Sequence, residues 1–419
     1  MNPPTLRRIA AHYTWCPRSG LIPRAILTFS PEGELLGVEA DVSRMDSLQG
    51  VEFYSGILIP GMVNAHCHLE LSYLKGQIPP GTGLNGFVRA VARLRHDTPE
   101  AERARAADVQ NSLMYAEGVA AVADICNDSF TFPLKQASAI RYHNFVEAFG
   151  IDPQVAPTAI ARARRVAEAS TAAGVPFSVT PHATYSLSEP LFEAVIAENR
   201  PSAPLSIHFM ESRAEAELFR GEGAFAERYR AEGAFAERYR AEGIAVDFTR
   251  FRSPAGRLIV SIPSQTPLLL VHNTFVTTED IDLIHSHFDS VTWVVCPRSN
   301  DYIEHSFPPL NLLRHKGCRI AVGTDSLASN RSLSLIEELK FISARQPEIP
   351  LTELLSWALN GAQTLGLDNH LGSFEPGKTP ETDHLGSFES GKRPGATLID
   401  HLDWDRLALT PQSTARRIV

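Results

Sequence analysis

The stretch "PGMVNAHCHLE", residues 60–70, sets two histidines one residue apart at the end of an apolar run. Side chains on a strand alternate between faces, so His66 and His68 point the same way and Cys67 the opposite way. Both imidazoles can then reach one ion at the C-terminal end of the strand. Taken alone, His-x-His is equally the pattern of a core pair or of two surface residues. The positions of the other histidines decide between these readings.

From about Leu58 onward, short β-rich runs alternate with longer segments of helical spacing. The runs fall at 57–66, 119–126, 140–150, 175–182, 205–209, 267–273, 291–297 and 319–325. Eight such units predict an α/β fold, a (β/α)8 barrel of the TIM type. The stretches 101–118 and 161–174 read as helices ended by Gly118 and Gly174, as a left-handed C-terminal cap prefers. Residues 1–57 and 368–419 carry short strands and turn residues without a long helix, and predict one small β domain built from both termini. The barrel then occupies 58–367.

His182 ends the fourth run, His208 the fifth, His272 the sixth and Asp325 the eighth. The C-terminal ends of barrel strands are where active sites assemble, so these groups are expected to meet in one place. Three imidazoles and a carboxylate suit a catalytic zinc or iron that keeps an open position for water. Glu211 follows His208 by three residues, and the turning chain can swing its carboxylate over the metal as a general acid/base.

The ordered motifs "PGMVNAHCH", "TPHATYS", "HFMES", "VHN", "CPRSN" and "GTDSLASN" resemble the amidohydrolase superfamily, in its cytosine-deaminase-like and chlorohydrolase-like branch, over nearly the whole chain. The resemblance implies that His66, His68, His208 and Asp325 bind one divalent metal, zinc first, with iron or manganese as alternatives. It implies that Glu211 shuttles a proton, that His272 polarises or orients the substrate, that His182 contacts the substrate, and that a small β-sandwich from both termini flanks the barrel. Binuclear members bridge their metals through a carboxylated lysine on strand four. Lys75, Lys135, Lys316, Lys340, Lys378 and Lys392 all lie elsewhere, which favours a single ion. Glu147, on the third run, is either a bridging carboxylate or an acid lining the barrel interior.

A divalent metal lowers the pKa of bound water to near neutrality. Asp325 would take the proton from that water and Glu211 would donate one to a ring nitrogen as hydroxide adds to the adjacent amidine carbon, after which ammonia leaves. "NAHCHLELS" resembles S-adenosylhomocysteine and aminofutalosine deaminases, which makes an aminohydrolase acting on an aminopurine nucleoside or related compound the first reading. Hydrolytic dechlorination or cyclic-amide hydrolysis by the same site is the alternative, and the pocket wall at 71–95 separates them. A noncatalytic barrel scaffold ranks last, because all four ligands and the acid are present in order. Glu70 either reads a substrate group or is a loop carboxylate bonded to backbone. Ser299 or Asn300 braces the site, and neither Cys67 nor Cys296 has a paired base.

Of the 419 residues 43% are hydrophobic, ample for a packed interior. Lys+Arg 39 against Asp+Glu 48 leaves a net charge of −9 and no basic run to track a phosphate backbone, so the expected partner is a small-molecule substrate and not nucleic acid. No run is long enough to span a bilayer. Five scattered cysteines without a Cys-x-x-Cys pair point to a reducing, cytoplasmic setting. A homodimer is expected by analogy alone. "EGAFAERYRA" occurs at 222–231 and again at 232–241, and 370–383 is nearly repeated at 384–397. Two copies do not make a solenoid, so one copy of each pair is expected to stand outside the core and outside the chemistry.

Overall fold

Residues 6–17, 20–40, 49–95, 97–223, 247–367, 371 and 393–419 are described by the computed structural model. Nearly all of both duplications, 222–241 and 370–397, lies outside the described residues.

Both termini pair into one sheet. β1 (Arg7–Cys16), β2 (Gly20–Pro23), β3 (Ile26–Phe29), β4 (Leu35–Glu39) and β5 (Val51–Ile59) join β14 (Thr397–Asp400) and β15 (Thr414–Arg417) in the order β15-β14-β5-β1-β3-β4, with β2 on β1. Ile9, Leu27, Phe29, Leu58 and Leu398 bury a hydrophobic cluster of their own against this sheet.

The remaining strands form two parallel sheets of four. β6 (Met62–Cys67), β7 (Val119–Cys126), β8 (Arg141–Ala148) and β9 (Phe177–Pro181) make the first. β10 (Leu205–Phe209), β11 (Leu268–His272), β12 (Val291–Val295) and β13 (Arg319–Val322) make the second. Every residue of β6, β7, β10 and β11 is buried, which is why these strands read as continuous apolar runs rather than alternating ones. The sheets touch at both seams. Parallel bridges join Ala183 to His208 and Cys67 to Asp325, with the His208 N–H donating to the His182 carbonyl (3.0 Å) and the Thr324 N–H to the His66 carbonyl (2.9 Å).

The expected first run, 57–66, is two strands. Ile57–Ile59 ends β5 in the terminal sheet, and β6 starts at Met62. Pro60 brings no N–H to a ladder, and a Cβ at Gly61 would stand 2.5 Å from that of Ala120, so the chain changes sheets here. The helices Glu100–Ala116 and Ala156–Ala172 end as expected, with Gly118 at φ +90° and Gly174 at φ +67°.

A buried ion pair supports the loop that follows β6. Lys135 Nζ lies 2.5 Å from Asp124 Oδ2, with both side chains fully buried, and also donates to Asn144 Oδ1 (2.7 Å). Burial works against the ammonium, but Asp124 and Cys126 more than offset it and keep Lys135 charged. Asp124 Oδ1 accepts the Leu69 N–H (2.8 Å), directly after His68. Lys135→Met strands that carboxylate without its cation. We expect a loss of about 3–5 kcal/mol in urea unfolding, largely restored when Asp124→Leu is added; a loss within about 1 kcal/mol would remove the pair from the stability account.

Candidate functional site

The C-terminal strand ends bring the expected residues together. His66 is the fifth residue of β6 and His68 follows its end; their Nε2 atoms are 3.1 Å apart. His208 Nε2, from β10, lies 3.4 Å from that of His68. Asp325 Oδ1 is 3.7 Å from His66 Nε2 and 3.4 Å from His68 Nε2. Donors held about 2.1 Å from one cation in a tetrahedron stand about 3.4 Å from each other, so His66, His68 and Asp325 are spaced for a single divalent ion, while His208 lies beside His68 and converges with His66 and His272. The protonation states agree. Burial lowers the pKa of His66 and takes His68 down to about 4, leaving lone pairs free to coordinate. Burial alone would raise Asp325, but His68, His272 and the hydroxyls of Ser299 and Ser329 outweigh it and hold the carboxylate below its usual range.

The backbone bends sharply to present these groups. Met210 (φ +50°), His272 (φ +80°), Asn273 (φ +55°) and Asp325 (φ +56°) all take left-handed conformations that cost a side-chain-bearing residue energy. Their clustering at the ends of β10, β11 and β13 is the mark of a site the surrounding fold over-determines.

Around the donors, each reactive atom has a holder. Ser299 Oγ (2.5 Å) and Ser329 Oγ (2.8 Å) both donate to Asp325 Oδ2, which leaves Oδ1 facing the histidines. His208 Nδ1 meets the His182 carbonyl (2.8 Å), so Nε2 is the free lone pair. His272 Nδ1 lies 2.8 Å from Asn300 Oδ1, and Asn300 Nδ2 faces the His272 carbonyl (3.5 Å), which fixes the amide orientation. His272 Nε2 is buried without a hydrogen bond among the described residues and lies 3.6 Å from Glu211 Oε1. Burial pushes the Glu211 carboxyl up to about 8, so it is protonated at neutral pH.

His182 stands beside His208, ring centroids 4.7 Å apart, with Nδ1 3.1 Å from Ser186 Oγ. β9 contains no lysine. Glu147 Oε2 accepts from Asn127 Nδ2 (2.9 Å), and Oε1 lies 3.4 Å from His208 Nδ1.

Glu70 is the exception among the expected groups. The strand ends before it, and Leu69–Leu74 turns into a 3-10 helix. One Glu70 oxygen accepts from Arg95 (2.7 Å) and the other from the backbone N–H groups of Asn127 (2.9 Å) and Asp128 (3.1 Å). It ties three loops together rather than facing substrate, which is the loop-carboxylate alternative.

Sequence reasoning missed Ser329, although a hydroxyl four residues past Asp325 was a usable signal. It also missed Glu215 and Arg257, whose roles depend on tertiary contacts. Arg257, buried, donates to the carbonyls of Thr184 and Leu187 (2.7 Å for the latter), fixing the loop that carries His182. Glu215 accepts from the Thr184 hydroxyl, and burial pushes its carboxyl up to about 8. A carboxyl raised on folding binds its proton more tightly in the fold, so its contribution is full below about pH 4.5 and fades as pH rises through about 8. With saturating metal, wild-type stability therefore falls relative to Glu215→Gln between pH 5 and 8.5, by at most about 1.4 kcal/mol per pH unit. Parallel urea-unfolding profiles for the two proteins would contradict this.

The chain matches the Amidohydrolase family over residues 57–381. A Helicobacter pylori protein named adenosine deaminase is 26% identical over 336 residues, 78% of each chain. Among solved structures, Helicobacter pylori aminofutalosine deaminase in complex with methylthio-coformycin superposes with a TM-score of 0.75 at 22% identity, covering 99% of this chain and 100% of that one. An adenosine deaminase from Xanthomonas campestris with bound zinc gives a TM-score of 0.68 at 20% identity, covering 94% and 84%. These structural likenesses carry the fold, a TIM-type α/β architecture. Among the described residues no helix is long and apolar enough to cross a membrane.

Proposed function

Because the chain belongs to the amidohydrolase family, we propose that it is a metal-dependent aminohydrolase that deaminates an aromatic amidine, an aminopurine nucleoside or close relative. The observation that carries this reading is the convergence of His66, His68 and Asp325, with His208 Nε2 3.4 Å from that of His68, beside a protonated Glu211 that lies 3.6 Å from a free imidazole nitrogen. The relatives named adenosine and aminofutalosine deaminases support the substrate class. The parallel bridges at both seams support closure of the two sheets into one eight-stranded barrel at 58–367, and the separate hydrophobic cluster of the terminal sheet supports a small β-sandwich unit from 1–57 and 368–419.

A divalent cation, with zinc the first choice for three imidazoles and a carboxylate, supplies the Lewis acidity that makes a water molecule a nucleophile near neutral pH. The chain's own residues do the rest. Asp325, with one oxygen fixed by Ser299 and Ser329, takes the proton from the attacking water on the other. Glu211 donates its proton to the ring nitrogen next to the attacked carbon. His272, its Nδ1 proton directed at Asn300, offers Nε2 as an acceptor and so orients the water or the departing ammonia. His182, beside His208, borders the substrate. As the tetrahedral carbon collapses, the proton on Asp325 passes to the amino group and the hydroxyl proton returns to Glu211, so ammonia leaves and a carbonyl remains.

The test is ammonia release by metal-replete protein from aminopurine nucleosides, cytosine, guanine and chlorinated triazines. Release confined to nucleosides supports the proposal. Chloride release, or ring opening of a cyclic amide without ammonia, would replace the deaminase reading with the other chemistry of this site.

A further inference from the structure

We infer that Glu304 reads the vicinal hydroxyl pair of the substrate's sugar; this rests on the nucleoside reading above. The helix Pro297–Glu304 follows β12, and Asn300 and Glu304, four residues apart, share one face of it. Asn300 holds His272 at the level of the strand ends. Glu304 therefore stands one turn farther out, about 5–6 Å away, level with the part of a substrate remote from the reacting carbon.

The carboxylate is half-buried and half-fixed. One oxygen accepts the Leu84 N–H (2.8 Å) at the start of the helix Gly83–Leu94, and the other has no hydrogen-bond partner among the described residues. Its charge reaches the site: after burial and Asp325, Glu304 is the next group that pushes the Glu211 carboxyl up.

A merely capping role accounts for this poorly. The loop that precedes the Gly83–Leu94 helix is already pinned to the Pro297–Glu304 helix by the Tyr302 hydroxyl on the Ile78 carbonyl (2.5 Å) and by the Gly81 N–H on the Tyr302 carbonyl (2.7 Å). A cap alone would not call for a charge that also bears on the Glu211 carboxyl. A carboxylate oxygen fixed at the mouth, with its partner free, is instead an acceptor for hydroxyl donors, which bind carboxylates through short, strong hydrogen bonds.

The experiment compares kcat and KM of the metal-loaded full chain, wild type and Glu304→Gln, on adenosine and its 2′-deoxy, 3′-deoxy and 2′,3′-dideoxy forms. Glutamine keeps an oxygen for the Leu84 N–H. Wild type is expected to favour adenosine over the dideoxy form by about 10- to 100-fold in kcat/KM, mostly through KM, and the variant to narrow that preference to about threefold. Equal losses on all four substrates, or a wild type that treats all four alike, would remove Glu304 from recognition while leaving the deaminase intact. The wild-type comparison needs no variant to fold. A wild type that deaminates none of the four, yet releases ammonia from another amidine, defeats the nucleoside reading and the assignment of Glu304 with it.

Discussion

Glu211→Gln keeps its metal and loses turnover by about a thousandfold, in the range expected for removing a positioned general acid. The substitution is close to neutral for the fold. Burial already holds the Glu211 carboxyl in its protonated form, with its pKa up at about 8, so an amide of the same shape replaces one uncharged group by another. Metal content should survive because Glu211 lies outside the converging donors, its carboxyl standing 3.6 Å from His272. What disappears is the transferable proton, since an amide can donate a hydrogen bond but cannot protonate a ring nitrogen. KM should move little beside kcat, because the lost interaction forms as charge develops on that nitrogen. A variant retaining more than about a tenth of wild-type kcat would assign the proton to another group, and His272 would be the first to examine.

How much of this was legible in the sequence depends on whether a residue's role is set locally or by its neighbours. His66 and His68 were readable because period-2 geometry acts over three residues and needs no knowledge of the rest of the fold. His208, His272 and Asp325 were readable because each sits where an apolar run stops, and parallel strands stop on a common face. The Pro60–Gly61 break was misread for the opposite reason. The apolar run continues through it, and only the strand pairing, β5 with β1 and β14 but β6 with β7, shows that the chain leaves one sheet for another. For Glu70 the sequence left two readings open, a substrate contact or a loop carboxylate bonded to backbone, because it does not show that the chain has already turned into a 3-10 helix there. The Lys135–Asp124 pair left no trace at all, since eleven residues of sequence separate two groups whose juxtaposition depends on a helix packing back on its own strand.

Asp325→Asn should abolish both metal retention and turnover, the second by at least about 10³-fold. The two oxygens of Asp325 have different tasks. Oδ2 is held by the hydroxyls of Ser299 and Ser329, and Oδ1 faces His66 and His68. Asparagine can keep one of those contacts, yet it brings no charge to offset a divalent cation and cannot take a proton from water. If its amide nitrogen turns toward the serines it meets hydroxyls that can rotate to accept; if it turns toward the histidines it presents N–H groups to lone pairs that should bind metal. Either orientation keeps the fold and weakens the centre, so far-UV circular dichroism should match wild type while metal analysis after dialysis falls well below one equivalent. Read together, the two substitutions separate the functions that one carboxylate cluster combines: Glu211→Gln yields a loaded, idle protein, and Asp325→Asn an unloaded one. If Asp325→Asn keeps a full equivalent of metal, the cation lies elsewhere among these histidines, and the cluster of Glu147, His182 and His208 becomes the place to look.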